Sequence, residues 1–465
     1  MRWIDRPRGV ARSPRDPGRS VALGCCLVAL LAASCGTARE QGTSDRNAPS
    51  ASATAPLTTA ALDAGSPDAS AEDPPDAGAD AQAPSTPPAK KRKGELAHFY
   101  TALDGLDSRI RREHVRVLWI GDSHGQADFW SGRLRSILQK RFGNGGPGFL
   151  HLGYRGSRHD GVDLGTKDKW HAIPKNPATS QPGPDALLGL GGVLTGSKTL
   201  FAQASAEIVD PSLPAKLRWD LCHRFHTASE FLSVTLAGGT PVTLTPDKAA
   251  TFGDHPPLLH ASFTTEVPVV VATPRNKGPK MVVSPTAGHP SLCGVVVEAD
   301  PAESPGVVLD NLGINGARYT TFLAWDEEAW LAEYLRRSPS LVIFEYGTNE
   351  SGDVGVKVET YADKVGRAVA RIRKKKPDVD CVVLAPTDRA DQEERSAKVR
   401  DALREAARAN VCLFWDTIEA MGGKGSMRAW RDENPPRGAK DGIHLTVRGY
   451  QELGDKLGHD LLSKM

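Results

Sequence analysis

Residues 115–126 read VRVLWIGDSHGQ. Val117, Leu118, Trp119 and Ile120 form a short continuous apolar run, the pattern of a strand covered on both faces of a parallel sheet. The run stops at Gly121, Asp122, Ser123 and His124, and an amphipathic stretch begins near Asp128. A serine at the carboxyl end of a central strand, just ahead of a helix, stands where open α/β sheets bind ligands. Read alone, the stretch is equally a plain turn, with Gly for its conformation and Asp or Ser as a helix cap.

Around this stretch the chain alternates. Residues 96–112 and 128–141 read as helices flanking the first strand. Residues 307–310 read as a second strand and 326–337 as a helix. Strands at 341–346, 381–385 and 411–415 then alternate with helices at 361–374, 394–409 and 447–463. Such alternation predicts a mostly parallel sheet with helices on both faces, and right-handed crossovers bring every strand's carboxyl end to one rim. Ser123, Gly316 and Asn349 each follow a strand and so share that rim. Between 149 and 305 the helical periodicity disappears. Short β-type runs at 199–202, 206–209, 217–221, 231–236, 241–244, 259–263, 267–272, 280–283 and 293–298 are separated by Pro and Gly. This spacing predicts an inserted all-β domain of sandwich or jelly-roll type. The folded part is therefore expected as a first α/β piece (95–148), a β insert (149–305) and a second α/β piece (306–465).

The amino terminus reads differently. Arg2, Arg6, Arg8, Arg12, Arg15 and Arg19 precede an apolar run over 21–33 that is too short to span a bilayer. This is an export-signal pattern. It ends in Leu31-Ala32-Ala33-Ser34-Cys35, which resembles a bacterial lipobox with Ala32 where Leu is usual. The expectation is a signal over 1–35, lipidation at Cys35, and a protein held to a bacterial envelope membrane or free in the periplasm. An ordinary signal cut nearby is the alternative. Residues 36–94 are rich in Ala, Ser, Thr, Pro and Asp, with little to bury, and read as a flexible tether. Over all 465 residues the formal charge is only +2, which implies no nucleic-acid partner.

Two further blocks complete a constellation. In GTNE (347–350) the carboxamide of Asn349 is a candidate donor to a developing oxyanion, as are the amides of Gly316 and Ser123. In DGIH (441–444) an Asp stands three residues before a His, so that Asp441 can orient His444 as a base for Ser123. Each block alone is also a turn or cap. Together and in this order they resemble the SGNH, or GDSL-type, hydrolase superfamily. The resemblance implies a flavodoxin-like three-layer sandwich, Ser123 as nucleophile, Gly316 and Asn349 with Ser123 as oxyanion donors, and Asp441 and His444 completing the triad. His124 departs from the usual Leu. With RFGNGGPGF (141–149), NLGINGA (311–317) and YGTNE (346–350), it is similar to bacterial peptidoglycan O-acetylesterases, which carry a carbohydrate-binding-module-like β domain in the corresponding place.

The implied activity is removal of acetyl groups from a glycan, with no cofactor and no metal. Cys and His residues here make no zinc pattern. An acetyltransferase or lipase-type acylhydrolase on the same triad is one alternative. A tethered glycan-binding protein with a vestigial hydrolase domain is another. His124, Gln126 and Glu350 are candidate substrate contacts, with a helix cap expected at Asp128. Trp170, Trp219 and Phe225 are expected in the insert's core. Cys222 and Cys293 are a candidate disulfide, whereas Cys381 and Cys412 are expected as buried thiols.

Overall fold

The computed structural model describes residues 94–179, 187–247, 252, 256–266 and 278–465. The expected signal, Cys35, the tether and a strand at 267–272 lie outside them. Among the described residues the strands are β1 Val115–Gly121, β2 Gly148–Leu150, β3 Val162–Lys167, β4 Trp170–Ile173, β5 Leu194–Ser197, β6 Gln203–Ile208, β7 Leu217–Arg224, β8 Phe231–Leu236, β9 Val242–Leu244, β10 Leu259–Thr265, β11 Lys280–Ala287, β12 Ser291–Ala299, β13 Val307–Asn311, β14 Leu341–Glu345, β15 Asp380–Leu384 and β16 Leu413–Trp415. The helices are α1 Ala97–Asp107, α2 Ser123–Gln126, α3 Trp130–Phe142, α4 Tyr319–Ala324, α5 Glu327–Arg337, α6 Thr348–Gly352, α7 Thr360–Arg373, α8 Glu393–Ala409, α9 Thr417–Met421, α10 Ser426–Asp432 and α11 Val447–Ser463.

Five strands form a parallel sheet in the order β13-β1-β14-β15-β16. Chain order therefore runs outward from β1 in both directions, and the reversal falls between β1 and β14, where such sheets bind ligands. Alternate residues of β1 feed two cores. Val117 and Trp119 pack with α1, α3 and α11, while Leu118 and Ile120 pack with α5, α7 and α8. That double burial explains the unbroken apolar run, which alternation would have interrupted in a sheet with one wet face.

Between α3 and β13 the chain builds two antiparallel sheets, β10-β7-β12-β5-β4 with β2 on β12, and β3-β6-β11-β8-β9. Trp170, Trp219 and Phe225 fill the core between them. Residues 199–202, expected as a strand, instead form a turn with Phe201 at a positive φ, and β6 starts at Gln203. Strands β3, β4 and β5 were not expected, because Gly interrupts the pattern in β3 (VDLGTK) and β5 (LTGS) and β4 (WHAI) is only four residues long.

The insert is bound firmly to the α/β part. Glu298 on β12 accepts from Arg116 of β1 (2.8 Å) and from Arg337 of α5 (2.7 Å), and Arg337 also pairs with buried Asp310 (2.9 Å). Nearby, His260 of β10 bridges Asp220 of β7 (3.1 Å) and Glu333 of α5 (3.0 Å). Both ring nitrogens face carboxylates, so both must donate. Burial alone would lower the pKa of His260, but the two carboxylates outweigh it and raise it to about 9. A raised folded-state pKa adds stability that is complete below the unfolded value of about 6.5 and is lost as pH rises through about 9. Wild-type protein should therefore have a higher Tm than His260→Gln at pH 6, and the two should converge toward pH 9. A gap independent of pH would refute this.

Among the described residues there are two disulfides. Cys222 joins Cys293, and Cys381 joins Cys412. The second corrects the expectation of two thiols. Parallel pairing sets Val382 opposite Leu413, which leaves the preceding cysteines facing each other with Cα atoms 4.8 Å apart. Cys222 also lies with His260 and Glu333 in a metal-like cluster, but its sulfur is committed to Cys293.

Candidate active site

Ser123 opens α2, directly after β1. Its amide is the first N–H of that helix, and helix geometry provides it no internal acceptor. Ser123 Oγ lies 2.8 Å from His444 Nε2, and His444 Nδ1 lies 2.7 Å from Asp441 Oδ2. Asp441 Oδ1 also accepts the amides of Ile443 (3.0 Å) and His444 (2.9 Å), so one carboxylate shapes the turn and orients the ring. Burial would raise the Asp441 pKa, but the hydrogen bonds from His444 and Ile443 prevail and hold it below its ordinary range. Imidazole, hydroxyl and carboxylate are thus aligned for proton transfer from serine to His444, with Asp441 fixing the tautomer.

Asn349, in the first turn of α6, bridges the two other rim segments. Its Nδ2 donates to Asp122 Oδ2 (3.2 Å) and to the Ala317 carbonyl (3.0 Å), neighbours in sequence of Ser123 and Gly316. Both hydrogens already have acceptors, so a substrate oxygen would share one of them. Gly316 has φ +79°, a conformation that L side chains adopt rarely, and its carbonyl is held by Arg318 Nη1 (2.9 Å). The structure therefore joins Ser123, His444 and Asp441 directly, and ties Asn349 to the segments that carry Ser123 and Gly316.

The three candidate substrate contacts are turned inward. His124 is fully buried. Its Nδ1 meets the Tyr450 hydroxyl (2.9 Å) and its Nε2 the Thr387 hydroxyl (3.2 Å). Burial, then the nearby His444, push its pKa well below the ordinary histidine value. It is a neutral ring packed 5.2 Å from the His444 ring, and so adds no second positive charge when His444 takes a proton. Glu350 is buried too, and accepts the amides of Tyr319 (3.0 Å) and Gly347 (2.9 Å). Burial raises its pKa to about 7. Gln126 is buried between the Gly156 carbonyl and the Asn315 amide. In each case the sequence shows a polar side chain next to the nucleophile or the donor, but only packing decides which way it faces. Asp128 does not cap a helix either. It has φ +50° and lies beneath α3, where it pairs with Arg135.

Two acids behind the nucleophile were not assigned from sequence. Asp122 is wholly buried and accepts the His124 amide (3.0 Å) as well as Asn349. Glu345, the last residue of β14, accepts the amides of Asp122 (3.1 Å) and Gly125 (2.9 Å). Burial raises both, Asp122 to about 6 and Glu345 well above the carboxylate range, and the adjacent Asp122 raises Glu345 further, so that Glu345 is the one held protonated. An acid ending the otherwise apolar strand LVIFE was the available signal.

Residues 283–452 match the model of the GDSL-like lipase/acylhydrolase family. No curated protein matches the chain. Among solved structures, one described as a peptidoglycan O-acetylesterase aligns with TM-score 0.64 at 23% identity, covering 80% of this chain and 97% of its own. A lipase/acylhydrolase from Enterococcus faecalis aligns at 18% identity with TM-score 0.28, over 34% of this chain and 77% of its own. A carbohydrate esterase family 2 enzyme with a carbohydrate binding domain, from Corynascus thermopiles, aligns at 13% identity with TM-score 0.27, over 58% and 95%. The chain thus shares the fold of the peptidoglycan O-acetylesterase neighbour, with a parallel sheet and an antiparallel β insert, and carries a GDSL-like lipase/acylhydrolase domain over residues 283–452.

Proposed function

We propose that this chain is an exported serine esterase that removes O-acetyl groups from a cell-envelope glycan, peptidoglycan first. The observation that carries the reading is the hydrogen-bonded line from Ser123 through His444 to Asp441, at 2.8 and 2.7 Å. Ser123 Oγ attacks the acetyl carbonyl as His444 Nε2 takes its proton. The negative oxygen is met by the amides of Ser123 and Gly316 and by Asn349. Collapse expels the sugar alkoxide, which receives the proton from His444, and leaves acetyl-Ser123. Water, activated by the same imidazole, releases acetate and restores the serine. No step calls for a metal or cofactor.

The glycan part of the proposal is supported by the GDSH, NLGINGA and YGTNE blocks and by the named substrate of the structural neighbour. The export part is supported by the basic and apolar leader and by Cys35, whose lipid would anchor the folded part to a membrane through residues 36–94. Acetate release from O-acetylated peptidoglycan, O-acetylated xylan and 4-nitrophenyl acetate tests the activity. Wild-type protein should release acetate from peptidoglycan fastest, and Ser123→Ala should release it at least roughly 10⁴-fold more slowly. If both forms bind peptidoglycan equally and neither releases acetate from any of the three, the chain is a binding protein and the proposal fails.

A further inference from the structure

Gln126 is more than 95% buried, three residues after the nucleophile. Its Nε2 donates to the carbonyl of Gly156, in the first loop of the β insert, and its Oε1 accepts the amide of Asn315, the residue before Gly316. The chemistry of the two partners fixes the residue type. A carbonyl can only accept and an amide N–H can only donate, so one carboxamide satisfies both. A carboxylate would satisfy one and a hydrocarbon neither.

The bond to Asn315 stands where the loop leaves the sheet. Leu312 and Ile314 still donate to the carbonyls of Trp119 (2.8 Å) and Gly121 (3.1 Å), continuing the pairing with β1. A Cβ at Gly313 would come within 2.2 Å of the Gln126 amide, so loop and α2 backbone are in direct contact there. Beyond Ile314 the chain turns outward through exposed Asn315 to Gly316. The insert reaches the far side of the same loop. Thr321 Oγ1 donates to the Ala178 carbonyl (2.8 Å), and Ala178 Cβ is 3.5 Å from where a Cβ of residue 316 would lie. The loop that offers Gly156 is itself tied down, since Ser157 donates to the Tyr154 carbonyl (3.0 Å) and Arg158 to that of Ala127 (3.1 Å).

We infer that Gln126 is a positioning residue which clamps the loop bearing Gly316 between the nucleophile helix and the β insert, so that the insert takes part in catalysis as well as in any glycan binding. The inference rests on the reading of Gly316 as an oxyanion donor. A donor displaced by a fraction of an ångström loses part of its transition-state bond and little of its ground-state contact.

The test uses the full chain with 4-nitrophenyl acetate. Active sites are counted by a fluorophosphonate that labels serine nucleophiles, and kcat is expressed per labelled site. Gln126→Met is expected to lower kcat per site about 10- to 100-fold with KM changed by less than about twofold. Gln126→Glu, which still accepts from Asn315 but cannot donate to Gly156, is expected to fall between Met and wild type. It also serves as the test if the Met variant does not fold. A loss that appears only as fewer labelled sites, with kcat per site unchanged, would make Gln126 merely structural and overturn the inference. So would wild-type kcat per site in both variants, or equal values for Glu and Met below wild type. Ser123→Ala run in parallel reports on the underlying reading alone: turnover there close to wild type refutes the esterase assignment, whereas a Ser123→Ala slowed at least roughly 10⁴-fold beside a fully active Gln126→Met refutes only the clamp.

Discussion

Replacing Ser123 by Ala is expected to lower kcat for acetyl ester hydrolysis by at least roughly 10⁴-fold, and adding His444→Ala should cost almost nothing more. The two side chains share a single hydrogen bond of 2.8 Å and act on the same proton. Without the hydroxyl there is nothing for the imidazole to deprotonate, and without the imidazole the hydroxyl is a poor nucleophile. Either loss therefore removes the same step. The single variants should match each other, and the double variant should match both, with residual activity owed to binding and to the oxyanion donors. Asp441→Ala should cost less, because the imidazole that takes the proton remains, although it loses the carboxylate that holds its tautomer and shapes its turn. Initial rates on 4-nitrophenyl acetate, with Tm measured alongside, check this. A double variant slower by the product of the two single effects would mean that Ser123 and His444 act in separate steps.

Asp128→Asn is expected to destabilise the fold by about 3–5 kcal/mol. The substitution keeps the shape and tolerates the positive φ, so neither a cavity nor backbone strain is involved. What changes is charge and donor count. Asp128 Oδ2 accepts from Arg135 (2.7 Å) and the Asp160 amide (2.7 Å), while Oδ1 accepts from Ser131 (2.7 Å), Arg135 (3.2 Å) and Asn311 (3.1 Å). An Asn presents an NH2 to one of these sets of donors and leaves the buried Arg135 uncompensated. Burial would raise the Asp128 pKa, but Arg135, then His159 and the hydrogen bonds, outweigh it and depress it below the ordinary 3.8. A depressed folded-state value adds stability that is present above the unfolded pKa and lost as pH falls through the folded one. The gap between wild type and Asp128→Asn in urea unfolding should thus be full at pH 7 and shrink below about pH 4. A gap unchanged by acid would place the cost outside the ion pair.

Much of the architecture can be read directly from the chain. The apolar run of β1, the alternating helices and strands after 306 and the short Pro- and Gly-bounded runs between them announce an interrupted parallel sheet, because periodicity records which faces are buried. The rim position of Ser123, Gly316 and Asn349 follows from the same reading, since strand polarity alone sends their segments to one edge. Even α11 has the bounds its periodicity implies.

Side-chain direction was not readable, because it is set by neighbours remote in sequence. His124, Gln126 and Glu350 adjoin the nucleophile or the donor in the chain, yet Tyr450 and Thr387, Gly156 and Asn315, and Tyr319 draw them inward. Asp128 looks like a helix cap until Arg135 and Asn311 are in place around it. Cys381 and Cys412 look like two small hydrophobes until strand register sets them face to face. Local pattern thus determined the elements, their order and the edge on which chemistry would gather. Which polar groups face a substrate, and which are consumed in holding the edge together, was decided only by tertiary packing, because a buried hydrogen-bonding group must find its partner wherever the fold supplies one.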